Sequence, residues 1–306
     1  MNPEPHVRHR RTLPVLAPLA LLALLTASAW AQAGTPKPGT VFKDCEKDCP
    51  EMVVLPTGSF MMGTPDDEVG RQADEGPLHK VTFTKPFAIS RFPITFAEWD
   101  AFIQATGYMM PSGDERPGRL CQAGTATQGG RPTYGGNYPV TSRHPAVCMN
   151  LKEAQDYVAW LSNKTGKPYR LPSESVREYA ARAGSTGPFP FPFDEGKEYS
   201  IAKHANTYGP ADGYSYTAPV GSFPANAFGV YDMHGNIYEW TADCKHDNYV
   251  GAPSDGSPWQ EKDCRFQSIR GNDYGEAPVF SRSGNRNDLY PNERGDWIGF
   301  RVVRDL

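Results

Sequence analysis

Apolar positions in the first half of the chain follow two spacings. Val53-Val54-Leu55 and Phe60-Met61-Met62 flank the turn residues Pro56-Thr57-Gly58, which predicts a hairpin-like pair of strands. Val81 and Phe83, then Phe87 and Ile89, alternate with other residues in the period of two expected of half-buried strands. Helical spacing begins at Thr95-Phe96-Ala97-Glu98, a capping-box pattern in which the threonine accepts a backbone N–H and the glutamate reaches back; Gly107 supplies the stop. A second helix is predicted from Asn150, with Glu153 at its third position, Leu151, Ala154, Tyr157, Val158 and Leu161 on one stripe, and Gly166 at its end. A third runs from Ser173 to about Ala183 before Gly184, with Val176, Tyr179 and Ala180 on its buried face. Beyond Gly184 the Gly, Pro, Asn and aromatic content rises and no helical period survives. A functional surface in this half is therefore expected to be built from loops. No internal repeat is present.

The amino terminus reads as an address. Arg8, Arg10 and Arg11 precede an apolar run from Leu13 to Leu25, and Ala29-Trp30-Ala31 has the small-x-small form of a secretory cleavage site. Residues 1–31 are read as a signal peptide, 32–50 as a flexible tether containing Gly34, Pro36, Pro38 and Gly39, and 51–306 as one domain. Export to the periplasm or the medium is expected, with no membrane span after cleavage, because the apolar run is short and is interrupted by Pro14 and Pro18.

Composition sharpens this picture. The 306 residues hold 30 glycines and 29 prolines, which argues against helical bundles, while 12% aromatic residues argue against disorder. The formal charge of −4 becomes about −6 once three arginines and one glutamate leave with residues 1–31, so no nucleic-acid partner is expected. Cys45, Cys49, Cys121, Cys148, Cys244 and Cys264 form an even set in an exported chain, and proximity favours joining them in that order as three disulfides. A zinc site is the competing reading, but no C-x2-C pair is present to support it. His79, His144, His204, His234 and His246 stand singly, as packing histidines do. Trp99, Trp160, Trp240, Trp259 and Trp297 are read as core or near-core. Asn163-Lys164-Thr165 has the form of a glycosylation sequon, read here as a helix end.

Several segments taken together carry a resemblance. They are Met52-Val53-Val54 through Met61-Met62-Gly63, Glu75-Gly76-Pro77-Leu78-His79, Tyr169-Arg170-Leu171-Pro172-Ser173-Glu174, Glu178-Tyr179-Ala180-Ala181-Arg182, the run Gly229 to Asn236, Glu239-Trp240 and Gly299-Phe300-Arg301. In this order they resemble the sulfatase-modifying-factor family, the formylglycine-generating enzymes. One departure stands out: Arg177 occupies a position where the family usually shows Trp. The resemblance implies an α+β, C-type-lectin-like fold, low in regular secondary structure, loop-rich, and stapled by disulfides and calcium.

Catalytic members oxidise a sulfatase cysteine to formylglycine with oxygen and a copper ion held by two cysteines. Matching Arg270-Gly271-Asn272-Asp273-Tyr274 to the family's R-G-G-S-[WY] segment places Glu276 at the first catalytic cysteine and Ser281 at the second. Carboxylate and hydroxyl oxygens suit hard ions rather than copper(I), so copper is not expected. Asp273, Glu276 and Ser281 are the candidate catalytic residues. The two carboxylates are read either as an acid and a base in one cleft or as solvated groups paired with Arg270, Arg282 and Arg286.

The resemblance also implies structural calcium, with Asn206, Thr207, Asp212 and Tyr214 as one ligand set and Asp232, Gly235, Ile237 and Glu239 as the other. Hard oxygens from a few turns satisfy such a cation and brace backbone that lacks sheet or helix.

Two functions follow. One is an exported, diverged oxidoreductase or maturation factor acting on a peptide, protein or small molecule, resembling the pyoverdine-maturation relatives that also lack the cysteine pair. The other is a catalytically inactive, calcium-stabilised binding module for an envelope protein or glycan. A monomer is expected in either case.

Overall fold

The computed structural model describes residues 1, 36–109, 121, 138–194 and 198–306. The signal peptide and its cleavage site, and residues 32–35 of the tether, lie outside the described residues apart from Met1.

All three helices form where their caps stand. In α1, Phe96–Thr106, Thr95 Oγ1 accepts from the Glu98 N–H while Glu98 Oε2 accepts from the Thr95 N–H at 2.7 Å, and Gly107 closes the helix at φ 66°. In α2, Leu151–Thr165, Asn150 and Glu153 exchange the same pair of bonds at 3.0 and 2.8 Å, and Gly166 ends it at φ 64°. In α3, Glu174–Arg182, Ser173 Oγ accepts from the Val176 N–H at 3.1 Å; the left-handed cap is Ala183, one residue before the expected glycine.

Eleven short strands are described: β1 Val41–Phe42, β2 Met52–Leu55, β3 Gly58–Met62, β4 His79–Phe83, β5 Phe87–Ser90, β6 Tyr169–Arg170, β7 Tyr238–Cys244, β8 Gln267–Arg270, β9 Asn287–Leu289, β10 Ile298–Gly299 and β11 Val303–Asp305. They form a five-stranded sheet in the order β1-β2-β5-β11-β6, a four-stranded sheet β10-β7-β8-β9 and the ribbon β3-β4.

The expected hairpin across Pro56-Thr57-Gly58 does not close. β2 pairs with β1 and β5, whereas β3 crosses to β4. Burial explains the difference. Every residue of β2 is buried: Met52 and Val54 face a core with Trp99, Phe102, Tyr157 and Leu161 of α1 and α2, while Val53 and Leu55 face a second core with Val176, Tyr179 and Ala180 of α3. A strand covered on both faces belongs inside a sheet, and the alternately exposed β3 belongs in a ribbon. The tether reading also needs correction, because β1 lies within residues 32–50: Val41 pairs with Val53, Phe42 with Met52, and Phe42 packs on the first core. The short apolar pair gave a weak strand signal and was masked by the Pro and Gly around it.

Three disulfides join Cys45–Cys49, Cys121–Cys148 and Cys244–Cys264, as proximity predicts. Trp99 and Trp240 are fully buried, Trp160 and Trp297 pack on the core edge, and Trp259 stacks on His246 at 3.6 Å.

Every residue of α3 is buried, not only its apolar face. Its charged side chains meet opposite charges. Glu174 pairs with Arg286 at 2.9 Å, Glu178 with Arg182 at 2.8 Å and with Arg270, and Arg177 with Glu239 at 2.7 Å. Glu239 also accepts from Arg301 at 2.7 and 2.9 Å, so both its oxygens are engaged by two guanidiniums. Burial alone would raise the Glu239 carboxyl, but Arg177 and Arg301 outweigh it and hold the group below its usual range. Removing one partner of such a cluster strands uncompensated charge. Glu239→Gln is therefore expected to destabilise the protein by about 3–5 kcal/mol in urea unfolding at pH 7. Asp305→Asn, at the exposed Arg170–Asp305 pair, is expected to cost less than about 1 kcal/mol.

Candidate functional site

The site grows from the end of β8. Arg270 is anchored behind it by Glu178 and by the Ser283 carbonyl. The chain then turns through Gly271 at φ 109° and Asn272 at φ 68°. A side chain at Gly271 would place its Cβ 2.7 Å from the Arg177 guanidinium, so the close approach requires glycine. The turn delivers Asp273 to the wall of a cleft of about 420 Å3 lined by Tyr238, Ile269, Asp273, Glu276, Asp288 and Trp297 among others. A second lobe of about 230 Å3 shares Tyr238, Glu276 and Asn287 with it and adds Phe280 and Asn285. Sequence reasoning passed over Tyr238, Asn285, Asn287, Asp288 and Trp297 as site residues, since nothing in their spacing marks them.

Asp273 is 8% exposed, and its Oδ1 accepts from the Gly275 N–H at 2.6 Å. Burial pushes its carboxyl up to about 7, and the charges of Glu276 and Asp296 add to this against the opposing Gly275 bond. Among the described residues no arginine or lysine pairs with Asp273 or Glu276. Arg270 and Arg286 bind Glu174, and Arg282 binds Glu68 and Glu75, so the expected alternative of arginine-paired loop carboxylates does not form. Ser281 is placed differently from the other two candidates. It is 1% exposed, accepts from Asn272 Nδ2 at 2.7 Å, and lines neither lobe. Its backbone carbonyl lies 2.7 Å from Nδ1 of the buried His234, whose pKa burial lowers to about 4. All six cysteines are in disulfides.

A larger groove of about 670 Å3 lies elsewhere, beside Phe60, Met61, Leu78 and Phe228. Its one ionised group is Arg182, already spent on Glu178 and on the Gly187 and Gly63 carbonyls. The smaller cleft holds the groups able to move a proton.

The two expected calcium sets differ in fit. In the first, one loop brings Asn206, Thr207, Asp212 and Tyr214 together: the Asp212 carboxylate accepts from the Thr207 and Tyr214 N–H groups, both at 2.9 Å, and burial raises it. Asn206 is fully buried, with Nδ2 donating to the Tyr216 carbonyl and Oδ1 lacking any partner. A buried carbonyl oxygen without a donor suits a hard cation.

The second set does not fit. Asp232 Oδ2 accepts from the Gly221 N–H at 2.8 Å and its carboxyl is raised to about 6 by burial. Gly235 lies so close to the Asn206 carbonyl that a Cβ there would sit 2.1 Å from it, and the Ile237 N–H is bonded back to the Gly235 carbonyl. Glu239, however, has both oxygens on Arg177 and Arg301. Arg177 also donates to the Met233 carbonyl at 2.9 Å, and Arg301 to the Tyr231 carbonyl at 3.0 Å. Fixed guanidinium charge thus already stands where a divalent ion would need Glu239. Among the described residues no group of three or more His, Cys, Asp and Glu side chains is arranged to hold a metal.

Comparison with known proteins agrees with this architecture. A family model described as sulfatase-modifying factor enzyme 1-like domain matches residues 37–306. The formylglycine-generating enzyme of Mycobacterium tuberculosis is 32% identical over 231 residues, covering 62% of this chain and 73% of that protein. The inactive C-alpha-formylglycine-generating enzyme 2 of Bos taurus is 29% identical over 321 residues, 94% of this chain and 95% of that one. The solved structure of PvdO from Pseudomonas aeruginosa superposes with a TM-score of 0.83 at 67% identity, covering 89% of this chain and all of that one. With nearly the whole chain beyond residue 36 matched, from the first strand of the five-stranded sheet to the last residue, the protein belongs to the sulfatase-modifying-factor family.

Proposed function

We propose that this protein is an exported, diverged oxidoreductase or maturation factor of the formylglycine-generating family that works by acid–base chemistry in the Asp273–Glu276 cleft. It does not make formylglycine through a copper–thiolate pair. One observation carries the reading: carboxylates stand on the cleft wall at the family's catalytic segment, unpaired by any described cation, while every cysteine is tied in a disulfide. Asp273, with its pKa near 7, exchanges a proton at neutral pH with little driving force in either direction. Glu276, shared by both lobes, supplies a second carboxylate on the same cleft wall. By resemblance to the pyoverdine-maturation relatives, supported by the identity to PvdO, the substrate is a siderophore precursor. Three disulfides, together with no described helix long and apolar enough to cross a membrane, support export to the periplasm or medium.

The match along almost all of an inactive relative favours a second reading, a silent binding module. The two readings part on mutation. In cells carrying Asp273→Asn or Glu276→Gln in place of the natural gene, the enzyme reading expects maturation to slow about 10²–10⁴-fold, with precursor accumulating by mass spectrometry of the medium. Maturation at the ordinary rate in both variants would sink the acid–base role. With a sulfatase-type peptide the purified protein is expected to consume no oxygen.

Asp273→Asn carries a stability signature as well. The folded-state pKa of about 7 lies above the ordinary 3.8, so the folded protein favours the protonated acid. Below about pH 4 both states hold the proton and the residue costs nothing. As pH rises the unfolded chain loses its proton first, and the penalty is complete above the folded-state value. The asparagine variant is expected to match the parent in urea unfolding at pH 4 and to exceed it by on the order of 4 kcal/mol at pH 8.

Calcium belongs to this proposal at the Asn206 set alone, held by Asn206, Asp212 and the Thr207 and Tyr214 carbonyls. Millimolar calcium is expected to raise the melting temperature by a few degrees over the chelated protein, and Asp212→Ala to abolish the increment. An equal increment in that variant would place the ion elsewhere.

A further inference from the structure

The cleft's unpaired ionisable groups are all acidic. Asp273 and Glu276 are unpaired by any described cation, and Asp288 lies 3.7 Å from Lys245, which is shared with Asp74. Arg286 lines the second lobe, yet its guanidinium is consumed: Nε and Nη2 bind Glu174, and Nη1 binds the Asp74 and His246 carbonyls. Aromatic rings line the same walls: Tyr238 and Trp297 stand edge to face at 5.8 Å, and Phe280 lines the second lobe. Carboxylates beside aromatic faces favour a cation twice, by charge and by the ring quadrupole.

An independent observation points to a ligand. Asn285 lines the second lobe at 5% exposure, and its Nδ2 has no hydrogen-bond partner. A buried amide donor without an acceptor is costly and rare. Its fellow lining residue Asn287 is satisfied, donating to the Tyr238 hydroxyl at 3.0 Å. The lobe is thus lined by a residue that carries one buried, unspent donor, next to a carboxylate that also faces the larger lobe.

We propose that the cleft takes a small cationic ligand, whose amidinium, guanidinium or ammonium group seats against Glu276 and Asp273 between the aromatic walls, and whose carbonyl or hydroxyl oxygen accepts from Asn285 Nδ2. This names the substrate class for the site of the proposed function and rests on that cleft being the site. Anionic ligands are repelled by Glu276 and by the ionised fraction of Asp273, and neutral isosteres lose the charge-assisted bonds. Asn285 acts as a specificity residue: it selects among cations for those carrying an acceptor at a set distance from the charge.

Three probes of one shape test this on the full mature protein: 4-amidinobenzamide with cation and acceptor, benzamidine with cation alone, and terephthalamide with no charge. Titration calorimetry is expected to rank them in that order, with terephthalamide at least tenfold weaker than 4-amidinobenzamide. Glu276→Gln is expected to weaken both cations at least tenfold. Asn285→Ala is expected to bring 4-amidinobenzamide down to the affinity of benzamidine and leave benzamidine unchanged. Terephthalamide binding as well as the cations, or cation affinity indifferent to Glu276→Gln in a folded variant, overturns the proposal. Should Glu276→Gln not fold, the ranking on the parent protein and the NMR shift of the Trp297 indole decide: an unmoved indole on benzamidine binding overturns it. The outcomes separate from the acid–base reading. Cation binding of the expected kind in a protein whose Asp273→Asn variant matures substrate normally upholds the ligand class and removes the catalytic role. Loss of maturation in that variant without cation preference does the reverse.

Discussion

The guanidinium–carboxylate cluster around α3 is the constraint on which the rest of the molecule depends. A nine-residue helix that carries Glu174, Arg177, Glu178 and Arg182 would ordinarily lie on the surface with its charges in water. Here all nine residues are buried. Moving these charges out of water is expensive, and only close, multiply hydrogen-bonded partners offset the desolvation. The partners come from distant segments: Arg270 on β8, Glu239 on β7, Arg286 before β9 and Arg301 before β11. Ionic pairing at the centre therefore ties α3 to strands β7 and β8 and to the segments that precede β9 and β11. The choice of arginine follows from geometry, because its fork of donors binds a carboxylate and a backbone carbonyl at once, as Arg177 does with Glu239 and Met233.

The same cluster shapes the cleft. Arg270 is the last residue of β8, and its anchorage behind the strand fixes the start of the turn that presents Asp273. Gly271 must pass against the Arg177 guanidinium, so the ion pair and the glycine are one device. Every buried arginine near the cleft is consumed by α3 or by the Glu75 loop, and that leaves Asp273 and Glu276 without counter-charge. Burial is the main cause of the raised carboxyl of Asp273, the nearby Glu276 and Asp296 charges add to it, and no arginine stands there to offset them. The fold tolerates the resulting destabilisation, as active sites commonly do.

Much of this was legible in the chain. Capping boxes at Thr95 and Asn150 named two helices to the residue, because cap chemistry is local and the bonds are made by side chains three apart. Cysteine proximity gave the disulfides for the same reason. The ordered family segments gave the fold class. What failed was non-local. The apparent hairpin at Pro56 dissolved because β2 is claimed on both sides by strands far away in sequence. The full burial of α3 was invisible because, apart from the local Glu178–Arg182 pair, its charged face is satisfied chiefly by residues more than fifty positions off. Asn285 and Trp297 could not be marked as cleft residues, since only the tertiary fold brings the loop after Ser281 beside β7. Ser281 shows the converse error: a positional match to the family's second cysteine placed it in the cleft, yet the Asn272 amide holds its hydroxyl behind the wall.

Arg177 shows how one helix side chain compensates a buried carboxylate in a neighbouring segment. Its position sits on α3 facing the loop that carries Asp232 and Gly235, and its guanidinium supplies at that point a positive charge held covalently by the chain. A bound divalent ion and a buried guanidinium answer the same need, the compensation of Glu239 and of carbonyls in a segment without regular structure. They differ in dependence on the medium: a calcium site empties when the ion is scarce, whereas an arginine does not. Among the described residues the Asn206 loop has no guanidinium within its hydrogen bonds, whereas Glu239 is compensated by Arg177 and Arg301; each loop keeps one buried acceptor unspent, Asn206 Oδ1 and Asp232 Oδ1.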